Sequence, residues 1–123
     1  MNQTVKTLLD ALSAARVPAQ PEEYDIHALL SEAFAGAGLE VEHEYRLAPR
    51  CRVDFCFNRI GIEVKKGRPN ARTLRAQLAR YLETGALDAL IVVTQRYVPL
   101  PDTIGGKRVY LCTLDRLWGV ALP

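Results

Sequence analysis

The sequence predicts an α/β domain, a mixed sheet flanked by helices, and three observations carry that prediction. Residues 52–65 alternate in two short runs about Asn58-Arg59, the period-two pattern of two half-buried strands joined as a hairpin. Residues 89–94 (ALIVVT) form a continuous β-branched run. Such a strand is covered on both faces and, arriving after a helix, pairs parallel to an earlier strand. Apolar residues at Val5, Leu8, Leu9, Leu12 and Ala15, and again at Leu74, Leu78, Tyr81 and Leu82, recur at helical spacing. The expected order is α-α-β-β-β-α-β-β-α.

Taken in order, the first helix is expected over Thr4 to Val17, with Thr4 as its N-cap, until Pro18 and Pro21 break it. A second helix is expected from Glu22 to Ala37, burying Ile26, Leu29, Leu30, Ala33 and Phe34 and ending at Gly38. Its early carboxylates Glu22, Glu23 and Asp25 suit the positive end of the helix dipole. His27 lies one turn beyond Glu23 and reads as a surface or packing residue. Leu39, Val41, His43, Tyr45 and Leu47 alternate with Glu40, Glu42, Glu44 and Arg46, which predicts a strand wet on one face. The hairpin follows. Asn70 can cap a third helix running to about Thr84, with Gly85 as the stop signal. After the 89–94 strand come a loop containing Pro and Gly, a short edge strand over Arg108 to Cys112, and a final helical turn from Thr113 through Leu117-Trp118.

At 123 residues the chain has room for one domain. Half of it is apolar, enough for a real core. No apolar run approaches the roughly 20 residues needed to cross a bilayer, and the N-terminus lacks the pattern of a signal peptide. Cys51, Cys56 and Cys112 are odd in number and show no CxxC spacing. Buried thiols in a reduced, cytoplasmic setting are the expectation.

A net charge of +2 implies no nucleic-acid partner by itself, but its distribution is uneven. Arg59, Lys65, Lys66, Arg68, Arg72, Arg75 and Arg80 fall in a stretch whose one acid is Glu63. A basic cluster of this kind suits a polyphosphate ligand, or is a solvated helix face. Arg68, Arg72 and Arg75 stand near the start of the third helix, where free N–H groups also favour anions.

The hairpin carries the chemistry. With a turn centred on Asn58-Arg59, Phe57 faces Ile60, Asp54 lies opposite Glu63, and Arg52 lies opposite Lys65 on one face. Like charges directly opposite repel. A divalent cation such as magnesium or manganese, which takes hard oxygen ligands, would resolve the conflict. A loosely spaced, solvent-exposed charged edge is the other reading that geometry leaves open.

Asp54, then eight residues, then Glu63-Val64-Lys65, on a hairpin after a Glu-bearing helix, resembles the PD-(D/E)xK nuclease superfamily. The next helix carries Gln77 and Tyr81, similar to the QxxxY motif of several of its branches. The GIEVKK…QLARYL run is most similar to small stand-alone domains of the virus-type replication-repair (VRR-NUC) and restriction-endonuclease-like kind. The resemblance spans Glu22 to Thr94. It departs from the pattern at Val53, where the motif's name has proline. It also leaves a choice of helix acid between Glu22 and Glu23; Glu23 has the better spacing to Ile26 and His27, while Glu32 sits too near the far end.

The resemblance implies a restriction-endonuclease-like core (α-β-β-β-α-β) with an extra N-terminal helix. It implies a Mg²⁺-dependent deoxyribonuclease, with Mn²⁺ able to substitute, acting as an endonuclease in repair, recombination, restriction or phage-related processing. Asp54 and Glu63 would hold the metal, with the Val64 carbonyl as a third oxygen. Lys65 would orient or deprotonate the attacking water, and Glu23 would complete the shell through water or bind a second ion. Gln77 and Tyr81 would orient Lys65 or a phosphate, unless Tyr81 merely packs beside Leu78. Lys66, Arg68, Arg72 and Arg75 would contact the phosphate backbone of DNA, or of RNA. One small active site cuts both strands only as a pair, so a homodimer or a place in a larger complex is expected, with the N-terminal helix as the candidate interface. A catalytically silent nucleic-acid-binding or assembly module is the competing class. A nucleotide-binding domain lacks its Gly-rich phosphate loop, since Gly105-Gly106 precedes a strand rather than a helix.

Overall fold

A computed structural model describes residues 2–15 and 23–114, with the backbone alone for 23–25. Among the described residues, three helices flank one six-stranded mixed sheet: α1 (Gln3–Ser13), α2 (Glu23–Gly36), β1 (Glu42–Ala48), β2 (Cys51–Phe57), β3 (Ile60–Lys65), α3 (Ala71–Glu83), β4 (Ala89–Thr94), β5 (Thr103–Ile104) and β6 (Lys107–Thr113). The strand order is β1-β2-β3-β4-β6-β5. β1, β2 and β3 are antiparallel, β4 pairs parallel with both β3 and β6, and β5 closes the far edge antiparallel to β6. The expected alternation of strands and crossover helix is present. The final turn expected through Leu117-Trp118 lies outside the described residues.

Two apolar layers cover the sheet. On one side α1 and α2 bury Val5, Leu8, Leu12, Ile26, Leu30 and Phe34 against Phe55, Ile60, Ile62, Val64, Ile91 and Val93. On the other, α3 places Leu74, Leu78, Tyr81 and Leu82 over Val53, Leu90, Val92 and Val109. β4 lies between the two layers and is buried along its whole length, as its uninterrupted apolar run requires.

The ends of the helices follow from local chemistry. Asn2, and not Thr4, caps α1: its side chain accepts from the Thr4 N–H at 2.7 Å, so the cap lies two residues earlier than the sequence suggests. α1 also ends at Ser13, short of the expected Val17. Gly38 adopts φ 76° and lets Leu39 N–H reach the Phe34 carbonyl at 2.9 Å, a glycine-terminated helix end. Asn70 caps α3 by accepting from Thr73 N–H at 2.9 Å. Cys51, Cys56 and Cys112 are free and buried, and among the described residues no helix is long and apolar enough to cross a membrane.

Two expectations need correction. β6 is an interior strand between β4 and β5, because the loop after β4 contributes the two-residue β5 that takes the edge. The apolar stripe of α1 is buried in the chain's own core (Val5, Leu8 and Leu12 at 0%).

The second concerns β1, which does not alternate without fault. Leu39, Val41 and His43 lie toward the α1/α2 layer while Tyr45 and Leu47 pack with the α3 layer. The face changes at Glu44, which adopts the left-handed φ of 57°, and such a residue breaks the period of two. β2 changes face at the adjoining point, with Val53 in one layer and Phe55 in the other. Asp54 therefore sits at a kink shared by two strands.

Candidate active site

The hairpin that carries the carboxylates is tightly specified. Asn58 and Arg59 both have positive φ, 47° and 65°, the requirement of a two-residue turn whose twist matches the flanking strands. Arginine is an unusual choice there, and it is pinned: Nε meets Asp88 Oδ1 at 3.1 Å, Nη2 donates to the Gly85 carbonyl at 2.8 Å, and its own carbonyl accepts from Asp88 N–H at 2.7 Å. The tip is thus tied to the α3–β4 connection. The register is as expected, with Phe57 opposite Ile60, Cys56 opposite Gly61 and Phe55 opposite Ile62.

The backbone ladder ends there, and side chains take over. Asp54 Oδ2 accepts from Val64 N–H at 2.8 Å, and Glu63 Oε1 accepts from Asp54 N–H at 3.3 Å. The two carboxylates bridge the strands where the paired kink separates them. Arg52 and Lys65 are not among the paired residues of β2 and β3; the Arg52 guanidinium meets Glu44 at 3.3 Å, both side chains half exposed.

Glu63 is 3% exposed. Its Oε2 accepts from the Tyr81 hydroxyl at 3.1 Å and meets Lys65 Nζ at 3.3 Å. Burial, and then the charge of Asp54, push the Glu63 carboxyl up to about 7, with Lys65 opposing. Two carboxylates sharing a desolvated site cannot both ionise without compensation. Lys65 supplies part of it while remaining partly open to solvent. Gln77 Nε2 donates to the Tyr81 oxygen at 2.8 Å. The Gln77–Tyr81 pair therefore forms as its spacing implies, yet it serves Glu63: among the described hydrogen bonds none joins it to Lys65. The Tyr81 ring packs in the α3 layer, while its hydroxyl reaches the Glu63 carboxylate rather than Lys65. Burial and the neighbouring negative charge of Glu63 raise its pKa, which keeps it a donor.

Asp54, Glu63, Lys65, Gln77 and Tyr81 thus converge from β2, β3 and α3, with Val64 giving its N–H to Asp54. Glu23 opens α2; its side chain lies outside the described residues. Lys66, Arg68, Arg72 and Arg75 are exposed on the β3–α3 connection and the first turns of α3. That connection is held by Gln95, whose side chain accepts from Gly67 N–H, and by Arg96 N–H donating to the Gly67 carbonyl at 3.2 Å.

Sequence reasoning did not foresee the polar contacts of His27. Its Nε2 lies 3.5 Å from Asp54 Oδ2, and its Nδ1 lies 3.0 Å from Nε2 of His43. Both imidazoles pack against Phe55, the His43 ring stacked at 4.8 Å between centroids and the His27 ring tilted at 5.4 Å. The one available signal was that His27 is followed at one helical turn by Leu30 and preceded by Ile26, both fully buried, so it borders the face packed on the sheet. No family model, no curated protein and no solved structure matches the chain.

Proposed function

We propose that this chain is a metal-dependent nuclease that hydrolyses phosphodiester bonds in DNA, on a restriction-endonuclease-like core formed by α2, β1–β3, α3 and β4. The observation that carries the reading is Glu63: a carboxylate almost wholly buried, held against Asp54, with a lysine two residues on at 3.3 Å. Burying an ionisable group beside a like charge is costly. A site that keeps both groups fits a role needing negative charge at that point. The donor set of two carboxylates, with the Val64 carbonyl between Glu63 and Lys65, consists of hard oxygens suited to Mg²⁺ or Mn²⁺.

Asp54 and Glu63 would hold that ion, which when bound polarises a phosphoryl oxygen and acidifies water. The remaining work falls to the chain. Tyr81, itself fixed by Gln77, donates to Glu63 and sets its rotamer. Lys65, released from part of its ion pair once Glu63 has another partner, would orient or deprotonate the attacking water and offset charge on the pentavalent phosphorus. Lys66, Arg68, Arg72 and Arg75 would hold the phosphate backbone, which positions a nucleic acid without reading its sequence. A homodimer or a larger complex would supply the second cut of a duplex.

The test is cleavage of plasmid and branched DNA with Mg²⁺ or Mn²⁺ by the wild type and by Asp54→Ala, Glu63→Ala and Lys65→Ala, each shown to be folded by circular dichroism. Cleavage is expected to vanish in all three. Undiminished cleavage by the folded Glu63 variant would overturn the reading.

A further inference from the structure

We propose that His27, His43 and Glu44 form a second metal site, specific for a zinc-like transition-metal cation and separate from the oxygen site at Asp54 and Glu63. One ligand atom from each of these residues lies within 4.8 Å of the others. The three come from two elements distant in sequence, α2 and the start of β1, and they meet for a structural reason. Neighbouring residues on a strand point to opposite faces. The left-handed backbone of Glu44 breaks that rule and leaves its carboxylate on the same side as the His43 imidazole.

The two histidines are arranged as ligands are. His27 Nδ1 and His43 Nε2 face each other at 3.0 Å, close to the roughly 3.3 Å that two imidazole nitrogens keep on a tetrahedral zinc ion with bonds of about 2.0–2.1 Å. Without a cation, one ring nitrogen must donate to the other. The tautomer of His27 is biased by Asp54, whose Oδ2 lies 3.5 Å from His27 Nε2. A proton on Nε2 is favoured there, leaving the Nδ1 lone pair aimed at His43. A carboxylate behind a ligating imidazole is the usual outer support of a metal-bound histidine. His43 then presents its own lone pair by carrying its proton on Nδ1, so no net proton is lost. Phe55 holds both rings in place.

Glu44 supplies the third ligand. Its side chain is half exposed and pairs with Arg52 at 3.3 Å, a contact weak enough at the surface for the carboxylate to leave and close on the ion. Two imidazoles and one carboxylate select zinc, nickel or cobalt over magnesium. Bound there, the ion would cross-link α2 to the edge strand β1.

The experiment uses the full chain stripped of metal by a chelator. Zn²⁺ is titrated by calorimetry and Co²⁺ by visible absorption into the wild type, His43→Phe and Glu63→Gln. His43→Phe keeps a ring on Phe55 and removes the nitrogen; a matching circular dichroism spectrum shows that it is folded. One zinc ion per chain is expected for the wild type and for Glu63→Gln, with a melting temperature raised by at least about 5 °C at a hundredfold excess over Kd. The affinity should fall more than about tenfold in His43→Phe. Arg52→Ala, which frees Glu44, should bind more tightly than the wild type. Mg²⁺ binding should show the reverse pattern, lost in Glu63→Gln and kept in His43→Phe, so the oxygen site and this one fail independently. Absence of zinc binding, unchanged affinity in His43→Phe, or a thiolate-to-cobalt charge-transfer band would overturn the proposal.

Discussion

Replacing Glu63 with glutamine should make the metal-free protein more stable above neutral pH while removing the proposed metal-dependent cleavage. The magnitude follows from the carboxyl's surroundings. An ordinary glutamate titrates at 4.5, and here burial and Asp54 raise the value to about 7. Between these values the native state binds a proton that the unfolded chain has released, so stability falls as pH rises. The favourable contribution is complete below pH 4.5 and is lost as pH passes through 7. At about 1.36 kcal/mol per pH unit of difference, the loss approaches roughly 3 kcal/mol.

Glutamine avoids it. Its carbonyl can accept from Asp54 N–H where Oε1 now does, and its amide can donate to the Tyr81 oxygen in place of Oε2. Lys65 can turn to solvent. The assay is urea unfolding by circular dichroism in EDTA at pH 5 and pH 8, comparing wild type and Glu63→Gln. Groups titrating alike in both proteins cancel in the difference. That difference should be small at pH 5 and should reach about 2–3 kcal/mol in favour of the variant at pH 8, a midpoint shift on the order of 2 M urea. Saturating Mg²⁺ should restore the wild type alone. A pH-independent difference, or a variant less stable than wild type at pH 8, would refute the assignment of Glu63 as a desolvated, destabilising carboxylate.

Gly61→Ala should destabilise the fold by about 1–3 kcal/mol, since a Cβ there would come within 2.8 Å of side-chain atoms of both Leu87 and Leu90; an unchanged thermal midpoint would contradict this. On the proposed nuclease reading, replacing Arg72 and Arg75 together with alanine should weaken DNA binding alike for all sequences. It should also lower the slope of log affinity against log salt by about 2, read by fluorescence anisotropy; an unchanged slope would exclude these two as phosphate contacts.

Much of the site was legible because its parts are local. The turn at Asn58-Arg59 fixes which residues of β2 and β3 face each other, and Gln77 and Tyr81 meet because they are one helical turn apart. Tyr81's choice of Glu63 over Lys65 was not legible, because it depends on how far α3 stands from β3. Nor was the kink at Glu44 and Asp54: the residues around Glu44 alternate perfectly, and nothing in that pattern reveals a left-handed residue. His27 does pack against Phe55, but its polar contacts were not legible for a related reason. Its partners, His43 and Asp54, are 16 and 27 residues away, and local spacing says nothing about contacts at that range.

The sequence by itself determined the helices, the hairpin and its register, the buried parallel strand, and the order in which carboxylates, lysine and the Gln/Tyr helix occur. These rest on interactions between residues a few positions apart, whose periods are 2 and 3.6. Tertiary structure alone decided that β6 is interior and that α1 belongs to the core. It decided that both carboxylates replace backbone partners at a shared kink, and that His27 meets both Asp54 and His43. Those outcomes depend on which elements are packed together across the sheet. Chain periodicity describes the face each element must bury, and only packing selects the neighbour it is buried against.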